Sequence, residues 1–244
     1  NVEGLLKVLD LSVGRLYQPT CDADFGDARC RVAIDLSQTY QETSKYVAGD
    51  WVYRFDPTYM TALTVTNPSF ESETANSAAS ITGWTRVSSS PFEVIDSGNL
   101  IHATGTVQTP VAGTNLLVAG TSSTDGASEE SIYQEFDLVT AGMTTPKIDN
   151  GDYYIHSEFW YHSYFDALSS VKVEVSFYDA TSTLISKGDS GELKGETLLN
   201  WYVRRFNVHV PPTARTARMT ISAIKTEGTR YRIALDSITA HFWD

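Results

Sequence analysis

Val171-Lys172-Val173-Glu174-Val175-Ser176-Phe177-Tyr178 alternates apolar and polar residues without a break. A period of two places successive side chains on opposite faces of an extended chain. Val171, Val173, Val175 and Phe177 therefore face inward on a half-buried antiparallel strand. The same period recurs on both sides. Tyr202, Arg204, Phe206, Val208 and Val210 form a second run, stopped by Pro211-Pro212, which cannot continue a hydrogen-bonded ladder. Met219, Ile221 and Ala223 alternate with Arg218, Thr220 and Ser222. Ile155, Phe159 and Tyr161 mark one side of a run over 153–162, and Tyr231, Ile233, Leu235 and Ile238 mark a last one. Asn115–Ala119 and residues 131–138 are shorter candidates. Trp84 and Trp201, each beside a strand start, are read as core residues. Residues 120–128 and 187–192 are rich in Gly, Ser and Asp and read as exposed loops. Many strands between such loops predict an all-β antiparallel sandwich.

The chain has 244 residues, 41% of them hydrophobic, which suffices for a packed core. There are 18 Lys+Arg against 30 Asp+Glu, a net charge of -12. Phosphate binding needs a basic footprint, so nucleic acid is excluded as a partner, and docking on anionic lipid is disfavoured for the same reason. No apolar run reaches about 18 residues, so no membrane-spanning helix is expected. The first residues lack the pattern of a secretory signal.

A boundary falls near residue 60. Before it the chain is irregular, with Gly14, Pro19, Gly26, Gly49 and Pro57. A unit of about 60 residues folds alone only marginally. Residues 1–60 are therefore expected to form a small docking unit, with Leu5, Leu6, Val8, Leu9, Tyr17 and Trp51 as apolar anchors, and 61–244 the sandwich. Cys21 and Cys30 are the two cysteines, with eight residues between them. A disulfide there would close a short loop, stabilising by ~2–3 kcal/mol; two free thiols is the other reading. A metal or cluster site needs about four ligands, and the chain has no further cysteine.

Asn67-Pro68-Ser69-Phe70-Glu71, then Gly83-Trp84, then Tyr133-Gln134-Glu135-Phe136, then Leu235-Asp236-Ser237-Ile238 come in a telling order. They resemble the opening Asn-x-x-Phe-Glu, the following Gly-Trp, the Gln-containing strand and the closing Asp-x-Val/Ile strand of a carbohydrate-binding-module (galactose-binding-like) β-jelly-roll. The resemblance implies that the first and last strands lie side by side. It also implies a structural Ca²⁺ held by Glu71, Asp236 and backbone carbonyls; the plainer reading is that Glu71 caps a strand and Asp236 accepts turn hydrogen bonds.

Gly14-Arg15-Leu16-Tyr17-Gln18-Pro19-Thr20-Cys21 and Phe25-Gly26-Asp27-Ala28-Arg29-Cys30 resemble a segment of tail-tip hub proteins of long-tailed phages and gene transfer agents. The family form is Pro-Thr-Cys, then Cys-Gly-Val-Asp-Leu after the same interval. Here Arg31-Val32-Ala33-Ile34-Asp35-Leu36 replaces the last part. Family members with further cysteines are thought to hold an iron–sulfur cluster, and this chain lacks those cysteines.

Sugar-binding surfaces use flat aromatic rings with polar groups beside them. Opposite Ile155 and Phe159 on one strand stand His156, Glu158, Trp160 and His162. That stripe is the candidate ligand-binding surface; the alternative is that Trp160 packs under a loop and the histidines lie at an interface. His156 and His162 are too far apart, at roughly 20 Å along a strand, to share a metal. No Gly-x-Ser-x-Gly elbow, phosphate loop or His-Glu-x-x-His helix appears, so no catalytic residue is assigned.

Two functions from different classes follow. One is a non-enzymatic structural component of a phage tail tip or baseplate, in the virion, oligomeric within the assembly, whose jelly roll binds host-surface glycan or a neighbouring tail protein. The other is a carbohydrate-binding module of a secreted polysaccharide-degrading system.

Overall fold

The computed structural model describes residues 60–74, 80–87, 92–96, 109–119, 129–163, 169–194, 200–225 and 233–244. The chain divides into two units, Asn1–Met60 and Thr61–Asp244. The expected docking unit, with its apolar anchors and the Cys21 and Cys30 pair, lies outside the described residues.

The second unit is an antiparallel β-sandwich of jelly-roll type. Its described strands are β1 (Thr61–Leu63), β2 (Thr85–Val87), β3 (Phe92–Asp96), β4 (Asn115–Ala119), β5 (Glu129–Asp137), β6 (Tyr154–Ser163), β7 (Ser169–Tyr178), β8 (Leu184–Asp189), β9 (Tyr202–His209), β10 (Thr216–Lys225) and β11 (Ile233–Trp243). One sheet has the order β3-β4-β11-β6-β9, with β1 also paired to β11, and the other β2-β5-β10-β7-β8. Every pairing is antiparallel.

The alternation read from sequence sets the inner faces. Val171, Val173, Val175 and Phe177 are buried, as are Met219, Ile221 and Ala223 beside them on β10. They pack in one core with Ile155, Phe159, Phe206 and Leu235 of the six-stranded sheet. Phe159 and Phe177 are among the largest fully buried side chains. Each such ring removes enough apolar surface from water to contribute on the order of 1.5–3 kcal/mol. The outer face of the five-stranded sheet is bound to itself. The Arg218 guanidinium lies 4.3 Å from the Tyr133 ring centre and 4.8 Å from that of Tyr178, and donates twice to Glu135.

The opening and closing segments lie together. Leu63 pairs with Ala240, and the Ile238 amide donates to the Pro68 carbonyl at 2.9 Å. The inward positions of β11 slip from odd to even between Leu235 and Ile238. A bulge explains the slip: pairing to β6 shifts between Asp236 and Thr239, and Ser237 takes a left-handed φ of 50°. Gln134 ties the opening segment to the five-stranded sheet. Its Oε1 accepts from the Thr66 amide at 2.9 Å and its Nε2 donates to the Thr66 carbonyl at 2.6 Å. Phe70 is fully buried, 6.1 Å from the buried Trp84 ring.

Two expectations are corrected. The loop read over 187–192 is in its first half strand β8. Gly188, taken as a turn signal, is there because a β-carbon would stand 2.8 Å from Val208 Cγ1. A short helix, α1 (Thr145–Asn150), also occurs among strands. Pro146 at its start and Gly151 at its left-handed C-cap are the signals for it.

Candidate functional site

On β6 the side chains opposite the core are Tyr154, His156, Glu158, Trp160 and His162. Residues directly opposed in an antiparallel ladder share a face. Register therefore puts His241, Thr239, Asp236 and Ala234 of β11 on this outer face. From β9 it adds Asn207, Arg205 and Val203.

The face has two halves. Toward β3 and β4, Ile95, Leu116, Val118 and Ala234 form a second small apolar cluster, with Trp201 packed against it. Trp201 was read as a residue of the main core and is instead half-buried on this outer cluster. Its Nε1 donates to the Thr109 carbonyl at 2.8 Å, and its ring lies 5.9 Å from that of His162. The polarity of indole explains the difference: an N–H is best placed where it reaches a carbonyl at the rim.

The other half carries polar and aromatic groups. The Tyr154 and Trp243 rings stack at 5.5 Å with 17° between their planes. The His209 ring meets Tyr154 at 5.1 Å, and the His156 ring lies 6.5 Å from Trp243. His156 Nδ1 bonds Asn207 Oδ1 at 2.8 Å, and Arg205 pairs with Glu158. Trp160 is half-buried, between Val203 on one side and Asp236 on the other. Such a surface can stack a flat apolar ring face and offer hydrogen bonds at its edge.

The expected stripe is therefore one face of β6, with members in different environments. Glu158 and Trp160 are partly accessible. His156 is 6% exposed and His162 is 0% exposed. His162 is enclosed beside Trp201 with its Nδ1 on the Asn200 carbonyl at 3.0 Å, so it is not a solvent-facing contact. Burial lowers the affinity of both imidazoles for a proton; Asn207 opposes this at His156 and the Asn200 carbonyl at His162. Tyr154, Arg205, Asn207, His209, His241 and Trp243 were not read as part of the surface. Tyr154 continues the same alternation on β6; the others come from β9 and β11, and only register places them there.

Glu71 and Asp236 both grip the turn before β4. Asp236 Oδ2 accepts from the Val111 amide at 2.7 Å and the Ala112 amide at 2.9 Å, and Oδ1 from Ser237 at 2.6 Å. Glu71 Oε1 accepts from the Thr114 and Asn115 amides at 3.0 and 2.7 Å, and Oε2 from the Thr114 hydroxyl at 3.1 Å. Burial pushes the Asp236 carboxyl up to about 6, against the pull of its three amide donors and with the nearby Glu71 charge adding to the rise. A Ca²⁺ site takes roughly six to eight oxygen ligands. Here the carboxylates face N–H and O–H donors. Among the described residues, no three His, Cys, Asp or Glu side chains come together as a metal group. The pair clamps the turn through its N–H and O–H groups.

Residues 1–33 match the family described as baseplate hub protein, N-terminal attachment domain, of phage origin. No curated protein matches the chain. Among solved structures, a Stig cyclase, Fisc, from Fischerella sp. TAU is similar with a TM-score of 0.51 and 11% identity, over 75% of this chain and 98% of that one. The C-terminal family 22 carbohydrate-binding module of Clostridium thermocellum Xyn10B is similar at 0.44 and 15%, over 71% and 90%. The enzymatically active domain of bacteriophage CBA120 tailspike protein 4 is similar at 0.48 and 13%; this chain covers 22% of it, with 76% of its own length. Likeness at such identity concerns the fold alone. The hub resemblance holds over residues 1–33, and the jelly-roll resemblance holds as two antiparallel sheets with neighbouring first and last strands.

Proposed function

We propose that this chain is a non-enzymatic structural component of a phage tail tip or baseplate, docked through its N-terminal segment and presenting its jelly roll to host-surface glycan. The match of residues 1–33 to the hub attachment domain carries the virion part. The glycan part is supported by the outer face of the six-stranded sheet, where Trp160 and the Tyr154–Trp243 stack lie among Arg205, Asn207 and His241. The net charge of -12 argues against nucleic acid as the ligand of this face. Docking on a neighbouring tail protein through the same face is the variant in which no sugar is bound.

Two measurements test this. Native mass is expected to show a ring or trimer assembled with other tail proteins; a monomer with an oxidised Cys21–Cys30 bond would favour a secreted carbohydrate-binding module. On a glycan array, Trp160→Ala should lose the wild-type signal with its circular dichroism unchanged. Equal binding by both proteins would remove this face as the sugar site.

A further inference from the structure

We propose that the Glu71–Asp236 pair works without a cation, with Asn115 where a metal would otherwise be expected, and that it latches residues 111–115 over the sheet beside Trp160. The argument begins with the polarity of the turn. Val111, Ala112, Thr114 and Asn115 all direct backbone N–H groups at carboxylate oxygens. Amides converging in a turn make a concavity for anions, the reverse of what Ca²⁺ requires.

The carbonyls of the facing turn are also occupied. Asn115 is buried, and its Nδ2 donates to the Phe70 carbonyl at 3.2 Å and to the Glu73 carbonyl at 3.0 Å. These flank Glu71, and are the backbone oxygens that a cation shared with its carboxylate would use. An NH₂ group thus supplies the positive end of the interaction. Gly113 completes the arrangement: its φ is +67°, and a β-carbon there would stand 2.3 Å from Glu71 Cδ. The left-handed backbone and the close passage beside the carboxylate both favour glycine here.

The latch fixes a segment that matters for the surface. Asp236 opposes Trp160 across the β11–β6 ladder, so its bonds to Val111 and Ala112 tie that turn to the strand position facing the indole. Farther along, Thr109 holds Trp201. Residues 109–112 form one side of the Trp160 surface, and Glu71, Asn115 and Asp236 are its positioning residues. Only this last step rests on the reading of the face as a ligand surface.

Hydrogen exchange of the Val111, Ala112, Thr114 and Asn115 amides, followed by NMR on the whole ligand-free chain, tests the latch. Wild-type protection should be the same in EDTA and in millimolar CaCl₂. Glu71→Gln, which weakens hydrogen bonds to a charged group, and Asn115→Ala, which removes the two side-chain bonds that hold the facing turn, should each speed exchange at these amides roughly ten- to a hundredfold, while amides of β7 and β10 keep their protection. Protection that collapses in EDTA and returns with CaCl₂ would overturn the proposal in favour of a bound cation. Unchanged exchange in both variants would overturn the latch itself. The β7 and β10 amides reveal any variant that fails to fold, and Glu71→Gln, at an exposed position, is the milder change. No sugar enters the measurement, so its failure and that of the glycan reading are separable.

Discussion

Asp236 lies directly across the β11–β6 ladder from Trp160, and its carboxylate holds the Val111 and Ala112 amides above the sheet. One residue thus joins the closing strand, the turn before β4 and the rim of the candidate surface. Two features expected to be separate, an acidic pair and an aromatic stripe, are neighbours.

Gly113→Ala should be among the most damaging single changes at the surface of the domain. The new methyl would collide with Glu71, and the left-handed backbone would be strained as well. A loss of about 1–3 kcal/mol is expected. At this domain size that lowers Tm by roughly 2–4 °C per kcal/mol. Thermal unfolding followed by circular dichroism measures it, and an unchanged midpoint would contradict the close approach.

Gln134→Leu keeps the side chain's volume but removes both bonds to Thr66. The Thr66 amide and carbonyl would each lose a partner. The expected cost is about 2–3 kcal/mol, read as a lower urea midpoint with an unchanged m-value.

Trp201 and Trp160 should respond to truncation to different degrees. Trp201→Ala uncovers the cluster of Ile95, Leu116, Val118 and Ala234 and frees the Thr109 carbonyl. We expect it to destabilise the fold by about 1–3 kcal/mol. Trp160→Ala should cost less than about 1 kcal/mol, since the ring is half-buried and outside the core. Equal losses in urea titrations would show that the two rings do the same job.

Stability should depend on pH through groups of opposite sign. His156 and His162 titrate below their ordinary value of 6.5 because they are buried. The unfolded chain then binds protons first, and stability falls as the pH drops below 6.5. Asp236 is raised from 3.8 to about 6 by burial. Its contribution is fully present below 3.8 and is lost as the pH rises through about 6. Calorimetry from pH 7.5 to 4 should show a flatter fall for His162→Gln and a steeper one for Asp236→Asn. A slope unchanged in both would refute this assignment.

Much of the fold was legible along the chain. The alternation at 171–178 gave the inward face of β7 correctly, and Pro211 marked the end of β9. The slip between Leu235 and Ile238 was written in the sequence as well, although only the bulge explains it. Less legible were β8, whose lysine, glycine and aspartate resemble a turn, and Trp201, which looked like core. Both are decided by contacts with distant segments: Gly188 by Val208, and Trp201 by Thr109.

Periodicity is local, so the sequence alone determined that this chain makes strands and which side of the long alternating ones, such as β7 and β10, faces inward. Register is not local. Asp236 meets Val111 across 125 residues and Asn115 meets Phe70 across 45, and neither pairing leaves a trace in the spacing of nearby residues. Only the closed sandwich decided that an acidic pair would grip the amides of a distant turn, and that His162, on the same strand face as Trp160, would be shut away from solvent.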